Sequence, residues 1–270
     1  MTYRAEDIIQ TIESFYPCSL AESWDNPGLL AGHRGQVIRT VVIALDASRR
    51  VVDLAVREKA DMILTHHPMI FDGIKAVTDD GFTGRKLLAL IENRICCYAM
   101  HTNFDIARCG MAYIAAERLG LKDFCPLELT GEQDGSPVGI GFVGDVTSSM
   151  IKPGSSSLTA RDLALLCRER FGLQSAFYYD SGRPIRRIAV CPGSGRHMMD
   201  AVKASGADAF VTGDTGHHDG MDYFDEGITL VDAGHFGVEH IFTEHMKHFL
   251  GDHFPDLKLI EEVTDERQYV

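Results

Sequence analysis

The stretch VVIALDASRRVVDLAVREKADMILTHHP occupies residues 41–68 of this 270-residue chain. Its first five residues are apolar and mostly β-branched, which is typical of a buried strand. Apolar residues of 51–59 follow at helical spacing, and residues 62–64 predict a second buried strand. A strand, a helix and a strand in this order form a unit whose strands are parallel and whose sheet is covered by helices. We therefore predict an α/β fold.

Strands and helices alternate on both sides of this stretch. The further elements are predicted, in chain order, as a helix over 5–16, a helix over 85–93, a strand over 95–100, a helix over 111–119, a strand over 138–143, a helix over 159–171, a strand over 188–191, a strand over 228–232 and a helix over 238–249. Residues 134–157 are rich in Gly, Ser and Pro, which indicates a lobe boundary or a surface excursion. The last helix carries His240, His245 and His248, and we interpret these as a solvated face because its apolar stripe lies elsewhere.

The second half of the chain repeats the first. Adding 147 to the numbers of Val41–Thr65 gives Ile188–Thr212 without a gap, and the apolar positions correspond. We interpret this as an internal duplication of a β-α-β-α-β unit. The alternative is a chance similarity between two ordinary βαβ units. The length allows one large or two modest domains, and we predict a first lobe over 1–127 and a second over 128–270.

The composition excludes several classes of protein. The formal net charge is −13, which argues against a nucleic-acid or anionic-membrane surface, although a local basic pocket is compatible with it. The seven cysteines are scattered without a CxxC motif, so we expect a reducing cytoplasm rather than a disulfide scaffold. The N-terminus lacks the apolar region of a signal peptide. No apolar run approaches the roughly 18 residues that a membrane span needs.

The sharpest chemical feature is Thr65-His66-His67-Pro68, at the carboxyl end of a predicted strand. In open α/β sheets, ligands bind at that edge. Adjacent histidines that leave a strand project apart, so the pair suits two neighbouring metals better than one. Taken alone, the pair has a surface or packing role as an equal alternative.

Two further clusters follow predicted strands. His101 and Asp105 are four positions apart, as are His235 and Glu239. Imidazole and carboxylate groups suit Zn²⁺, Mn²⁺, Fe²⁺ or Co²⁺, and no thiolate is placed to form a structural zinc site. If all the strands end at one edge, the clusters converge on two metals, with one carboxylate between them and an acidified water as nucleophile. The predicted ligands are His66, His67, Asp105, His235 and Glu239.

Two loops carry weaker features. The loop Thr212–Asp219 contains His217 and His218, and we predict that one of them, His218 first, donates a proton or supports the ligands. The alternative is a pair of solvent-exposed loop histidines. Residues 192–195, Pro-Gly-Ser-Gly, lie between a strand and a helix, where backbone N–H groups can bind phosphate. A tight turn is the alternative, because the full GxGxxG or P-loop pattern is missing.

Together these motifs resemble the Nif-three-like dinuclear-metal family, whose members are called GTP cyclohydrolase type 2 homologues. The resemblance covers nearly the whole chain. It is carried by SLAESWDNPGL at 19–29, Thr65–Pro68, His101–Asp105, Cys191–Gly195, Gly213–Asp219, and Asp232–His235 with Glu239.

The resemblance implies two interlinked α/β lobes, a ring-shaped homohexamer and a dinuclear site bridged by Glu239. It places further residues around that site, namely His101, Trp24, Asp25, Asn26 and His218. The chain differs from the family pattern at Gly216-His217, where Lys-Tyr is common, and at 236–238, where Tyr-Glu-Thr is common. These differences leave the predicted ligands unchanged and alter the surroundings of His218.

We therefore predict a cytoplasmic, dinuclear metal-dependent hydrolase. A metal-bound hydroxide would attack a nucleotide or small metabolite: the resemblance suggests the imidazole carbon of GTP, and a phosphoester is the second enzymatic reading. The substrate-binding candidates are Trp24, Asp25, Asn26, Gly193, Ser194 and Gly195, and the candidates for proton transfer are His101 and His218. The alternative from another class is a non-catalytic metal-binding scaffold or regulatory protein.

Overall fold

A computed structural model describes residues 2–268 of the chain. The α-helices of this part are α1 (Ala5–Phe15), α2 (Arg49–Arg57), α3 (Phe82–Glu92), α4 (Thr102–Ile106), α5 (Met111–Leu119), α6 (Ala160–Arg170), α7 (Met199–Ala204), α8 (His217–Asp225), α9 (His235–Glu239) and α10 (Ile241–His253). The β-strands are β1 (Tyr3–Arg4), β2 (Gly28–Ala31), β3 (Val37–Ile38), β4 (Thr40–Ala44), β5 (Met62–Thr65), β6 (Cys96–Ala99), β7 (Lys122–Gln133), β8 (Ser136–Asp145), β9 (Phe177–Tyr179), β10 (Arg187–Ser194), β11 (Ala209–Gly213), β12 (Thr229–Asp232) and β13 (Lys258–Glu262). Within residues 2–268, no helix combines the length and apolarity that a bilayer span requires.

The chain forms two compact α/β units. Unit 1 contains the residues up to Phe104 together with Phe242–Thr264, and unit 2 contains Asp105–Ile241 and the residues from Asp265 onward. This division differs from the predicted lobes 1–127 and 128–270. Residue 127 lies inside β7, and the C-terminal strand β13 returns to unit 1 because it pairs in parallel with β4.

Unit 1 is built on a five-stranded sheet in the order β13-β4-β5-β6-β2. Its first four strands are parallel, and β2 is antiparallel at the edge. All residues of β5 and β6 are buried, which explains their continuous apolar runs. Helix α2 begins after Ser48, whose side chain accepts the N–H of Val51, and its apolar face packs on Val42 and Ile63. The predicted βαβ unit is therefore confirmed.

Unit 2 is built on a six-stranded sheet in the order β7-β8-β10-β11-β12-β9. Strands β10, β11 and β12 are parallel, and the strands outside them are antiparallel to their neighbours. The core of this unit includes the stacked rings of Phe210 and Tyr223. Residues 134–157 begin with the turn and second strand of the long β7–β8 hairpin, and the strand predicted over 138–143 lies within β8.

The strand registers confirm the predicted duplication. In unit 1, Val41 pairs with Met62 across β4 and β5; in unit 2, Ile188 pairs with Ala209 across β10 and β11. Ile188 follows Val41, and Ala209 follows Met62, by the same 147 residues that relate the two sequence segments.

The aspartates that precede the second strand of each pair also correspond. Asp61 accepts hydrogen bonds from the backbone N–H groups of residues 39 and 40, at 2.8 and 3.0 Å. Asp208, its counterpart at the same offset, accepts from the N–H groups of residues 186 and 187, at 2.9 and 3.1 Å. The same pair of hydrogen bonds therefore recurs at corresponding positions in the two units.

Candidate functional site

Two adjacent histidines follow β5 at the carboxyl end of the parallel sheet of unit 1. The chain is held there by two hydrogen bonds: the N–H of His67 donates to the carbonyl of Leu45, and the Thr65 hydroxyl donates to the carbonyl of His67, both at 2.9 Å. The His66 side chain is buried, with Nδ1 2.7 Å from the carbonyl oxygen of Met100. The Nδ1 of His67 lies 2.9 Å from Oδ1 of Asp46.

His101 completes a group of three imidazoles in unit 1. It follows β6, the strand next to β5. Its ring centroid lies 5.2 Å from that of His66 and 5.6 Å from that of His67, and the two adjacent rings are 4.9 Å apart. One ring nitrogen from each of the three histidines lies within 4.8 Å of the other two, so the group can hold a metal ion. We call it the three-histidine group.

A buried carboxylate orients His101. The Asp25 side chain is 0% exposed, and its Oδ1 lies 2.7 Å from both Nδ1 of His101 and the N–H nitrogen of Asn26. Its Oδ2 accepts hydrogen bonds from the backbone N–H and the hydroxyl of Thr102, at 2.9 and 2.5 Å. Burial raises the pKa of Asp25, but the hydrogen bonds from His101 and Thr102 outweigh it and lower the pKa to about 2. Asp25 is therefore ionised at neutral pH.

These oxygen partners determine what the three histidines can do. An oxygen acceptor at Nδ1 favours the tautomer that carries its proton there, which leaves the ring's lone pair on Nε2. Neutral imidazoles in this tautomer are ligands for Zn²⁺, Fe²⁺, Co²⁺ and related ions, and a carboxylate or carbonyl behind the ring is the arrangement that metal-binding histidines use. The donor set of unit 1 therefore fits a divalent transition metal.

Unit 2 carries a histidine and a carboxylate on the short helix α9. His235 and Glu239 are four residues apart and share one face, with Nε2 of His235 3.0 Å from Oε2 of Glu239. Nδ1 of the same histidine lies 2.8 Å from Oδ2 of Asp214, which follows β11. Glu239 is only 3% exposed, whereas His235 is partly open to solvent.

Glycines make room for this pair. A Cβ at Gly193 would collide with Oε1 of Glu239 and would lie 3.7 Å from Nε2 of His235. A Cβ at Gly213 would collide with the backbone nitrogen of His235. Both glycines lie in the last residues of parallel strands, β10 and β11, so the strand ends approach α9 more closely than any side chain would allow.

Asp105 belongs to unit 2, as Glu239 does. Burial raises the pKa of the Cys191 thiol, and the carboxylates of Asp105 and Glu239 raise that pKa further. The two predicted carboxylate ligands are therefore both close to one buried thiol at the end of β10. Carboxylates with imidazole suit the same divalent ions as the three-histidine group.

The remaining predicted site residues are distributed over both units. His218 is exposed on α8, beside the ring of His217 at 5.4 Å, and within the described part of the chain it is not one of the residues whose ligand atoms cluster. Ser194 is exposed, and the N–H of Gly195 donates to the Thr212 hydroxyl at 2.9 Å. That amide is already used inside the fold, which favours the tight-turn interpretation of residues 192–195.

Trp24 and Asn26 flank Asp25 in unit 1. Trp24 is 58% exposed, and its ring centroid lies 6.1 Å from that of His101. The Asn26 amide donates to the carbonyl of Ile70 at 2.8 Å, so it joins this loop to the one that follows His67. The structure thus brings the three candidates of residues 24–26 next to the three-histidine group.

Sequence reasoning missed three residues of these surroundings. Asp46 and Asp214 each hold a histidine by its Nδ1, and both follow a parallel strand within two residues, a position that could have identified them. Phe71 was also missed and lies 6.2 Å from His101, ring to ring. The interpretation of His245 as part of a solvated face is wrong, because Nε2 of this partly buried ring lies 2.7 Å from the Tyr16 hydroxyl.

The family described as Duf34/NIF3 (NGG1p interacting factor 3) matches residues 3–267, so the chain belongs to this family. It is 33% identical over 240 residues to a Clostridium acetobutylicum protein named "GTP cyclohydrolase 1 type 2 homolog", covering 88% of this chain and 86% of that one.

Solved structures share the fold over nearly all of their length. Reduced HcgD from Methanocaldococcus jannaschii is 30% identical, with a TM-score of 0.80 and coverage of 97% of this chain and 98% of that one. A hypothetical protein of Staphylococcus aureus is 27% identical, with a TM-score of 0.86 and coverage of 99% of both chains.

Proposed function

We propose that this member of the Duf34/NIF3 family is a hydrolase that uses two divalent metal ions. The observation that carries the proposal is the three-histidine group, in which one nitrogen from each ring lies within 4.8 Å of the others while every Nδ1 is held by an oxygen. The proposed ligands are the residues predicted from the sequence, His66, His67, Asp105, His235 and Glu239. Divalent cations would supply Lewis-acid activation of water and of the substrate.

The chain's own residues divide the remaining work. Asp25 is ionised and hydrogen-bonded to Nδ1 of His101, which keeps the proton on that nitrogen and fixes the orientation of the ring. We assign His101 to proton transfer at Nε2, because it is the one imidazole of the group backed by a fully buried carboxylate. The lack of a side chain at Gly193 leaves room for the Glu239 carboxylate, which a Cβ at that position would displace.

The substrate class is proposed from the names of the relatives. Several relatives of this chain are named GTP cyclohydrolase 1 type 2 homolog, and a nucleotide offers both a heterocycle and phosphates to a divalent metal site. Opening of the guanine imidazole ring of GTP and cleavage of a phosphoester both need an activated water. The ring-shaped homohexamer and the cytoplasmic location remain predictions for solution scattering and cell fractionation.

Metal content and turnover test the proposal together. The wild type, purified and loaded with Zn²⁺ or Mn²⁺, should hold about two ions per chain and hydrolyse GTP or one of a panel of phosphoesters until a chelator is added. His66→Ala and Glu239→Ala should each lose metal and turnover in parallel, whereas His248→Ala, an exposed residue of α10, should change neither. Full metal content in both ligand variants would refute the ligand assignment, and metal without any turnover would favour a non-catalytic metal-binding protein.

A further inference from the structure

Two large aromatic side chains of unit 1 are exposed beside the three-histidine group. Trp24 is 58% exposed and Phe71 is 47% exposed, although aromatic rings of this size are usually mostly covered in a folded protein. They come from separate loops, one before β2 and one after the adjacent histidines of β5. We call this pair the aromatic wall.

The aromatic wall contacts His101 through both of its rings. The Trp24 and Phe71 centroids are 5.8 Å apart with an interplanar angle of 42°. Each ring also meets the His101 ring edge to face, at 6.1 Å and 74° for Trp24 and at 6.2 Å and 78° for Phe71. The exposed aromatic surface therefore begins directly at a member of the three-histidine group.

The backbone that carries the two rings is held firmly. Asp25, next to Trp24, is fully buried and accepts the hydrogen bonds described above. The Asn26 amide donates to the carbonyl of Ile70, the residue before Phe71, at 2.8 Å. The two rings are thus displayed at fixed positions while much of their surface faces solvent, which is the arrangement of a preformed binding surface.

The geometry of the two rings selects a planar ligand that stacks on their exposed surface. A third ring does not fit between centroids 5.8 Å apart, because stacked carbon atoms need about 3.5 Å on each side. The two residues are 58% and 47% exposed, and a flat ring laid on that exposed aromatic surface gains stacking contacts that an aliphatic group does not. We propose that Trp24 and Phe71 stack the planar heteroaromatic ring of the substrate and present it to the three-histidine group. The proposal rests on the proposed function, since it names the substrate class of the same site.

Tryptophan fluorescence gives a direct test, because Trp24 is the only tryptophan of the chain. Guanosine and GTP should quench its emission with saturation, whereas inorganic triphosphate and ribose 5-phosphate, which lack a planar ring, should not. Phe71→Ala should weaken guanosine binding about 5- to 150-fold, the range found when an aromatic stacking partner of a base is removed. Phe71→Tyr should restore binding. Phe82→Ala, which removes an exposed ring of α3, is the matched control and should bind guanosine like the wild type.

Three results would overturn the proposal. The first is quenching of Trp24 emission that does not saturate with any heteroaromatic compound. The second is equal guanosine affinity in the wild type and Phe71→Ala. The third is a change in oligomeric state in Phe71→Ala, because the aromatic wall would then be an interface between copies of the chain. Metal content is measured on the same samples, so the two proposals fail separately. A wild type that holds metal but does not bind guanosine refutes the aromatic wall, whereas a wild type that binds guanosine but holds no metal refutes the metal-dependent hydrolase.

Discussion

Asp25→Asn is the substitution that most directly tests how the three-histidine group is supported. The new side chain has almost the same size but carries one NH₂ group in place of an oxygen. In either orientation, that group faces a backbone donor: the N–H of Asn26 on one side, or the N–H of Thr102 on the other. The variant therefore places its NH₂ group against a backbone N–H donor at a side-chain position that is fully buried.

Two independent routes give the expected loss of stability. Leaving a buried donor unsatisfied costs about 1–3 kcal/mol, so the substitution should lower the free energy of unfolding by about 2–4 kcal/mol at pH 7. The pKa of Asp25 falls from 3.8 to about 2 on folding, which corresponds to about 2 kcal/mol of stabilisation by the ionised form. Because this folded-state pKa is depressed, the contribution is complete above about pH 5 and declines as the pH falls through 3.8 toward 2, so the difference between wild type and variant should shrink in that window.

The effect on metal binding should be separate and equally measurable. Asp25 holds the His101 ring beside the proposed ligands His66 and His67, and loss of an outer support of this kind typically lowers metal affinity 10- to 100-fold. Denaturant unfolding followed by Trp24 emission and by circular dichroism measures stability, and chelator competition with Zn²⁺ measures affinity. Asp53→Asn is the control, since its ion pair with Arg49 is exposed and contributes little. Unchanged Zn²⁺ affinity and stability within about 0.5 kcal/mol of the wild type at pH 7 would refute the reasoning.

Two further outcomes are expected. Gly193→Ala and Gly182→Ala both place a side chain at φ +72°, and each should lower the free energy of unfolding by about 1–2 kcal/mol. Only Gly193→Ala should also lose Zn²⁺ affinity, because its Cβ collides with Glu239 while the surroundings of Gly182 are open. Equal Zn²⁺ affinities of the two variants in chelator competition would contradict this. Burial raises the pKa of the Cys97 and Cys167 thiols to about 12, so in iodoacetamide labelling followed by peptide mass spectrometry the exposed Cys109 and Cys125 should react first. Early labelling of Cys97 in the folded protein would show that unit 1 opens around β6.

The parallel core of each unit was predictable because local patterns specify it. Strands β4, β5 and β6 are buried on both faces, so they appear as unbroken apolar runs. The internal repeat was visible for the same reason, since core positions keep their spacing when a unit is duplicated. Patterns of this kind identify a strand but not its neighbour in the sheet.

The elements that were missed depend on pairing over long distances or on exposed edges. The pairing of β13 with β4 joins a segment near the C-terminus to one in the first fifth of the chain, and nothing in residues 258–262 indicates that partner. Strand β7 lies at the edge of its sheet and is largely exposed, so it lacks an alternating apolar pattern. The lobe boundary was misplaced because both features fall outside what local periodicity can show.

The candidate site likewise contains residues that local sequence patterns identify and residues that they do not. The ligand candidates follow strands, and the carboxyl edge of a parallel sheet is where ligands bind, so position along the chain was enough to select them. The groups behind them come from other loops. Asp25 reaches His101 across 76 residues and Asp46 reaches His67 across 21, distances at which no sequence spacing identifies a hydrogen bond.

Those supporting groups are the strongest structural argument for metal binding. Four candidate histidines, His66, His67, His101 and His235, have an oxygen partner at Nδ1, a carbonyl in one case and a carboxylate in three. One such contact is common for a structural histidine, because a buried ring needs a partner. In the three rings of unit 1, repetition of this contact favours the tautomer that carries its proton on Nδ1, and core packing has no need of that uniformity. His235 differs, because its Nε2 also lies 3.0 Å from a carboxylate oxygen of Glu239. A metal site uses the tautomer that the three rings share, because His66 and His67 then direct the lone pair of Nε2 toward the ion, and His101 keeps its own Nε2 for proton transfer.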